Sequence, residues 1–137
     1  MRGKMKSVIV TGANGFVGSE IVCNLVMNGY KVFALYNRSK SRLDSMPDCV
    51  PVHCPMDKFE KLPELIKEKP EYIFHCAWTG SAGQDRCNVQ LQLTNVVSTC
   101  SLVSVAKELG AKRLIVTGSI MEDEVKAVTD TNGSLPS

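Results

Sequence analysis

No one sign of charge dominates this chain, no apolar run is long enough to cross a bilayer, and no second pair of ligands completes a metal site. Sixteen Lys and Arg against fourteen Asp and Glu leave a formal net charge of +2, which gives no electrostatic case for nucleic acid or a membrane surface as a partner. Nothing approaches the ~20 consecutive apolar residues of a membrane helix, and Met1 to Lys6 lacks the apolar core of a signal peptide. A cytoplasmic protein is expected. The cluster Cys49, His53, Cys54 stands alone, and His53 falls on the opposite strand face from Cys54, so no metal is expected there. Internal repeats and linkers are missing as well, ahead of a polar tail at 122–137.

Six cysteines are present. Cys23 and Cys100 fall within helical patterns and Cys76 ends an apolar strand run, so most read as small buried hydrophobes of a reducing compartment, not as a disulfide framework. A length of 137 residues with 44% hydrophobic content suits one domain with a real core.

The densest signal is Val8 to Gly18, where a short apolar run empties into three glycines, Gly12, Gly15 and Gly18, and then into a helical pattern. Such a turn cradles a phosphate. One glycine makes the tight turn, one lets backbone approach a pyrophosphate, and one allows close helix-on-strand packing, while the N–H groups that open the helix face the anion. The position of the motif, after the first strand and before a helix, favours dinucleotide binding over a glycine-rich surface turn.

Strand-like and helix-like segments alternate along the rest of the chain. Lys6–Thr11 reads as the first strand, and Phe16, Val17, Ile21, Val22, Leu25 and Val26 give the next helix its apolar face, closed by Asn28-Gly29. Lys31–Tyr36 is the second strand, Val50–Cys54 the third, and Glu71–Cys76 the fourth. Between the third and fourth a helix is expected from about Lys58 to Lys69, broken by Pro70. A Gly/Ser loop, Thr79 to Gly83, leads to a long helix expected to turn Leu93, Val96, Val97, Cys100, Val103 and Ala106 to one side and to end at Gly110. Arg113–Thr117 is the fifth strand. This alternation implies an α/β fold with a doubly wound parallel sheet and right-handed crossovers.

Thr11 to Gly18, Phe74-His75-Cys76-Ala77, Asn95 to Thr99 and Arg113 to Ser119, taken together, resemble the extended short-chain dehydrogenase/reductases. Within that superfamily the chain is similar to the NAD(P)-dependent epimerase/dehydratase group, many of which act on nucleotide-linked sugars. The resemblance runs from Lys6 to Ile120. It implies a Rossmann-like domain over residues 1–121, truncated after about five strands, with 122–137 leading toward a catalytic helix and substrate lobe that the chain does not contain.

The resemblance places Gly12, Gly15 and Gly18 under the pyrophosphate, with backbone from Asn14, Phe16 and Val17 at the same turn. It places Ala77 and Trp78 beside the ribose and nicotinamide, counts Thr117 among the cofactor-binding residues, and makes Asn95 the residue that ties the long helix to the cofactor end of the sheet. Trp78 reads equally as a half-exposed aromatic at a strand end, and Asn95 has the alternative of a solvated polar residue. At the end of the second strand, where an NAD enzyme carries a carboxylate for the ribose 2′-hydroxyl, the chain reads Asn37, Arg38, Ser39, Lys40, donors suited to a 2′-phosphate. NADP is therefore expected ahead of NAD; the alternative is an ordinary basic turn. Asp57 stands where the family's acidic residue near the adenine falls, although the preceding residue is Met56 where the family usually has glycine.

The family's chemistry rests on a hydroxyl residue after the fifth strand and on a tyrosine with a lysine four residues later, the tyrosine serving as acid or base. Ser119 matches the hydroxyl position. Tyr36 and Lys40 have the right spacing but precede Ser119 at the adenosine end, and no tyrosine follows Tyr72. Two readings stand: the NAD(P)-binding part of a nucleotide-sugar epimerase, dehydratase or reductase, homodimeric in its parent and inactive alone, or a non-catalytic dinucleotide-binding regulatory module. Self-association is also expected, through Leu91, Leu102 and Val105 left without a partner helix.

Overall fold

The computed structural model describes residues 3–119 and Asp123; the expected polar tail otherwise lies outside the described residues, as does Ile120. Five strands, β1 (Ser7–Thr11), β2 (Lys31–Tyr36), β3 (Cys49–His53), β4 (Tyr72–His75) and β5 (Arg113–Val116), form one parallel sheet in the order β3-β2-β1-β4-β5. Central β1 is buried along its whole length, as a strand covered on both faces must be. Its register sets Ile9 beside Phe33 and Ile73, and Val10 beside Ala34 and Phe74.

Alternation along these strands separates two cores. Ile9, Phe33, Leu35 and Ile73 face one side, where Phe59, Leu62, Ile66, Leu102, Val105 and Ala106 pack on them. Val8, Val10, Val32 and Ala34 face the other, under Val22 of α1 (Phe16–Met27) and Leu43 of the β2–β3 connection. The sheet therefore has helices on both faces, the doubly wound arrangement expected from the sequence. Helix α3 (Val89–Leu109) begins at an Asn88 cap, whose side chain accepts from the Leu91 N–H, and ends on Gly110 at φ 73, the left-handed residue a helix stop favours.

Three expectations are corrected. The β3–β4 connection holds no helix to Lys69: a 3-10 turn over Met56–Lys61 runs into the single α turn α2 (Leu62–Leu65), and Ile66 is already extended at φ −122, ψ 111. Ile66 leaves the helix because its side chain is buried against the sheet, and that burial outweighs local helical preference.

On α3 the inward stripe is Asn95, Ser98, Leu102, Val105 and Ala106. Of the six residues expected on one packed side only Ala106 is buried; Leu93, Val96, Val97, Cys100 and Val103 are exposed. Leu102 and Val105 are correspondingly core residues, not unpartnered ones. The polar pair displaces the apolar stripe because Asn95 is bound to backbone at the end of β4, as described below.

The cysteines also differ from expectation. Cys49 and Cys54 are buried, Cys76 is half-buried, and Cys23, Cys87 and Cys100 are exposed. Burial pushes the Cys54 thiol up to about 11, with Glu60 and Asp57 adding to the rise.

Candidate functional site

Adjacent strands β1 and β4 send their crossovers in opposite directions, and a crevice opens where they part, at the carboxyl ends of the strands. The cavity there holds about 580 Å³. The glycine turn forms its floor. Gly12 has φ 64, and a Cβ on it would lie 2.7 Å from the Ala77 backbone nitrogen, so both conformation and close approach exclude a side chain. A Cβ on Gly18 would meet the Gly12 carbonyl oxygen at 2.1 Å, so the third glycine packs α1 closely on the turn that follows β1, where contact with the strand itself was expected. Gly15 caps α1 without any side-chain hydrogen bond to the first turn. The opening N–H groups of α1 are thus left for an anion.

Asn14 contributes by its side chain as well as its backbone: its Oδ1 accepts from the Arg42 N–H at 2.9 Å, which draws the β2–β3 loop over the glycine turn. Asn37, Arg38 and Ser39 line the cavity. Lys40 does not, and its Nζ pairs with Asp44 at 3.4 Å. Ser39 is bound within its own turn, to Ser41. Asp57, in the 3-10 turn after β3, lines the same cavity as the glycine turn. No carboxylate stands at the end of β2, where Tyr36 gives way to Asn37.

The opposite wall is built by β4 and α3. Asn95 is almost fully buried; its amide donates to the Thr79 carbonyl at 2.8 Å and accepts from the Thr79 N–H at 2.9 Å. That two-way bond fixes the strand end carrying Ala77 and Trp78, both of which line the cavity. Beneath it His75, 1% exposed, lies between two threonine hydroxyls, Thr11 Oγ1 at 2.7 Å from Nδ1 and Thr99 Oγ1 at 3.0 Å from Nε2. Thr11 Oγ1 also accepts from the Cys76 and Ala77 N–H groups, each at 3.2 Å. With both lone pairs so used, its O–H donates to Nδ1, and the imidazole proton sits on Nε2. Burial pushes the His75 pKa down, so the ring is the neutral form that this arrangement requires.

Sixteen site residues were expected from the sequence. Gly12, Asn14, Gly15, Asn37, Arg38, Ser39, Asp57, Ala77, Trp78 and Asn95 meet around the one cavity. Phe16, Val17 and Gly18 lie at the start of α1 and do not line it; the Phe16 side chain is 78% exposed. Thr117 and Ser119 line a second cavity, which shares Trp78 with the first. Thr117 is anchored by its N–H and Oγ1, both donating to the His75 carbonyl. Sequence reasoning missed Tyr36, Met56, Thr94 and Ser98 in the first cavity. Thr94 and Ser98 are one helical turn apart beside Asn95, a signal that could have been read.

The model of the NAD dependent epimerase/dehydratase family matches residues 8–132. The chain belongs to this family. Relatives include a UDP-glucose 4-epimerase of Mycolicibacterium smegmatis, 33% identical over 81% of the chain and 38% of the relative. A UDP-glucuronic acid decarboxylase 4 of Arabidopsis thaliana is 31% identical over 87% of the chain and 27% of the relative. Among solved structures, an epimerase of Methanothermobacter thermautotrophicus superposes with a TM-score of 0.74 at 28% identity, over 85% of this chain and 36% of that one. The chain thus spans 27–38% of the length of these family members.

The family is NAD dependent, and the first cavity fits a dinucleotide: a turn that no Cβ can enter at Gly12, uncapped helix N–H groups, and a carboxylate and a guanidinium, Asp57 and Arg38, on its lining.

Proposed function

We propose that this chain is the dinucleotide-binding part of a nucleotide-sugar epimerase, decarboxylase or reductase, and that it prefers NADP to NAD. Bound there, a nicotinamide cofactor supplies hydride acceptance and return. The protein's part is to position it. The Gly12–Gly15 turn and the α1 N–H groups hold the pyrophosphate, Asn95 and the Thr11–His75–Thr99 chain fix the wall at Ala77, and Ser119 offers a hydroxyl to the reacting oxygen. The two sequence relatives described above are a UDP-glucose 4-epimerase and a UDP-glucuronic acid decarboxylase, which favours this reading over a non-catalytic regulatory module.

The observation that carries the cofactor preference is Arg38. It lines the cavity, has no ion-pair partner among the described residues, and stands beside Asn37 where a carboxylate would select NAD. Calorimetric titration should show NADPH binding more tightly than NADH. Arg38→Ala should remove most of the difference, since a charge-assisted phosphate contact contributes about 1.5–3 kcal/mol. Equal affinities in the parent chain would refute the preference.

The same proposal holds that the chain alone turns over no nucleotide sugar. Tyr36 and Lys40 are its sole Tyr-x-x-x-Lys pair; they lie on the β2 side of the sheet, and Lys40 is engaged by Asp44. Without a positioned acid–base group the rate falls by ~10²–10⁴. Steady cofactor reduction with a nucleotide sugar would contradict it. The exposed Val89, Leu93, Val96, Val97 and Val103 of α3 support homodimerisation through that helix in the parent. Six free thiols, three of them exposed, suit a cytoplasmic, reducing setting.

A further inference from the structure

Beside the cofactor cavity lies the second hollow, of about 380 Å³, bounded by the 78–86 loop, α3 and the residues after β5. Its wall toward the cofactor cavity is Trp78, which lines both. Gln92 pins that wall. Its side-chain oxygen accepts from the Trp78 indole N–H at 2.9 Å and from the Asn95 amide at 3.3 Å, and its NH₂ donates to the Gly80 and Asp85 carbonyls at 3.0 and 2.9 Å. Both acceptor positions and both N–H groups of the amide are thereby used, so Gln92 organises the loop and has nothing left for a ligand.

Among the described residues Arg86 is the one charged side chain lining this hollow. No carboxylate among the described residues lines it, and the Arg86 guanidinium has neither an ion pair nor a hydrogen bond among them. Ser119 lies on the same hollow. An exposed guanidinium fork on the lining of the hollow, without a partner, matches a carboxylate or phosphate in shape and charge.

We propose that this hollow reads the substrate, with Arg86 selecting an anionic group and the Gln92-pinned indole of Trp78 supplying the apolar face beside it. The proposal rests on the hydride-transfer reading above and adds to it the substrate class and the residue that chooses it. The anion is either a carboxylate on the sugar or the diphosphate that links sugar to nucleoside.

Trp78 is the sole tryptophan, so its emission reports on the hollow directly. The test titrates the 137-residue chain with UDP-glucuronic acid, UDP-glucose and UDP, with and without NADPH, and repeats each series with Arg86→Gln. The exposed position of Arg86 leaves the fold intact, checked by circular dichroism. The expected result is a saturable change in Trp78 emission that Arg86→Gln weakens about tenfold or more. A loss confined to UDP-glucuronic acid identifies the sugar carboxylate as the anion; an equal loss for all three ligands identifies the diphosphate. Arg86→Gln affinities equal to the parent's, or no emission change with any ligand, would overturn the proposal. Energy transfer from Trp78 to NADPH in the same cuvette reports cofactor binding separately, so failure of that reading is seen independently of the anion response.

Discussion

Thr11→Val tests whether the buried threonine–histidine chain holds the cofactor wall. The substitution preserves shape and removes one hydroxyl. That hydroxyl accepts from the Cys76 and Ala77 N–H groups and donates to His75 Nδ1. Cys76 keeps a second acceptor, the Thr11 carbonyl at 3.3 Å, so two groups are orphaned: the Ala77 N–H and the Nδ1 lone pair. Each unsatisfied buried group costs about 1–3 kcal/mol, giving a loss of about 2–6 kcal/mol from a domain stability of ~5–15. Urea unfolding followed by circular dichroism should show the midpoint falling with an unchanged slope, and Thr11→Ser should restore most of it. Dinucleotide affinity should fall too, because Ala77 is the backbone against which Gly12 packs. A stability change below about 0.5 kcal/mol, the range of an inconsequential surface substitution, would refute the reasoning. An NMR assignment of the His75 proton to Nδ1 would refute its hydrogen-bond directions.

Two other outcomes follow from charge and burial. In the folded chain Cys23, Cys87 and Cys100 should alkylate readily while Cys49 and Cys54 react only on unfolding, which mass spectrometry of partly labelled protein would show. Stability should decline as pH falls below the ordinary imidazole value of 6.5, because the lowered His75 pKa leaves the unfolded state binding more protons there. His75→Gln should flatten that slope whatever it does to stability at neutral pH. A further decline is expected below about 4.5, where the unfolded chain protonates Glu71 while the folded chain, holding it down first by the hydrogen bond to Lys112 and also by the charges of Lys112 and Lys6, still keeps it ionised. A pH-independent unfolding midpoint between 7 and 4, on the order of the window set by these two groups, would contradict both assignments.

What the sequence made legible was set by how local the signal is. The β1–glycine–α1 unit could be read because an apolar run, three spaced glycines and a helical pattern adjoin in the chain, and β2 is found within the bounds expected, Lys31–Tyr36. The Lys58–Lys69 segment was misread because its helical look is local, whereas the conformation at Ile66 is set by the sheet beneath it. Helix α3 misled for a different reason. Its apolar residues form a stripe, but the inward face is chosen by Asn95, whose buried amide is satisfied by Thr79 across the loop; hydrophobic periodicity cannot see a polar residue that is buried because it is paired. The first cavity was legible where backbone recurs in a motif and was missed at Thr94 and Ser98, whose one-turn spacing beside Asn95 carries a signal only once the inward face of α3 is known. Ser119 and Thr117 were placed at the correct strand end, yet their separation into a second hollow depends on where the Trp78 indole lies, which Gln92 decides.

The central claim, that the glycine turn cradles a dinucleotide, is tested most directly at Gly15. Its backbone lies at φ −76, accessible to any residue, and a Cβ there would stand 3.1 Å from the Gly12 carbonyl oxygen, so Gly15→Val asks the turn to give by a few tenths of an ångström and sets a side chain on the cavity lining. Energy transfer from Trp78 to bound NADPH should saturate in the parent chain and vanish in Gly15→Val while the far-UV circular dichroism of the two coincides. Equal NADPH affinity in the two folded proteins would contradict the assignment of this turn as the phosphate cradle.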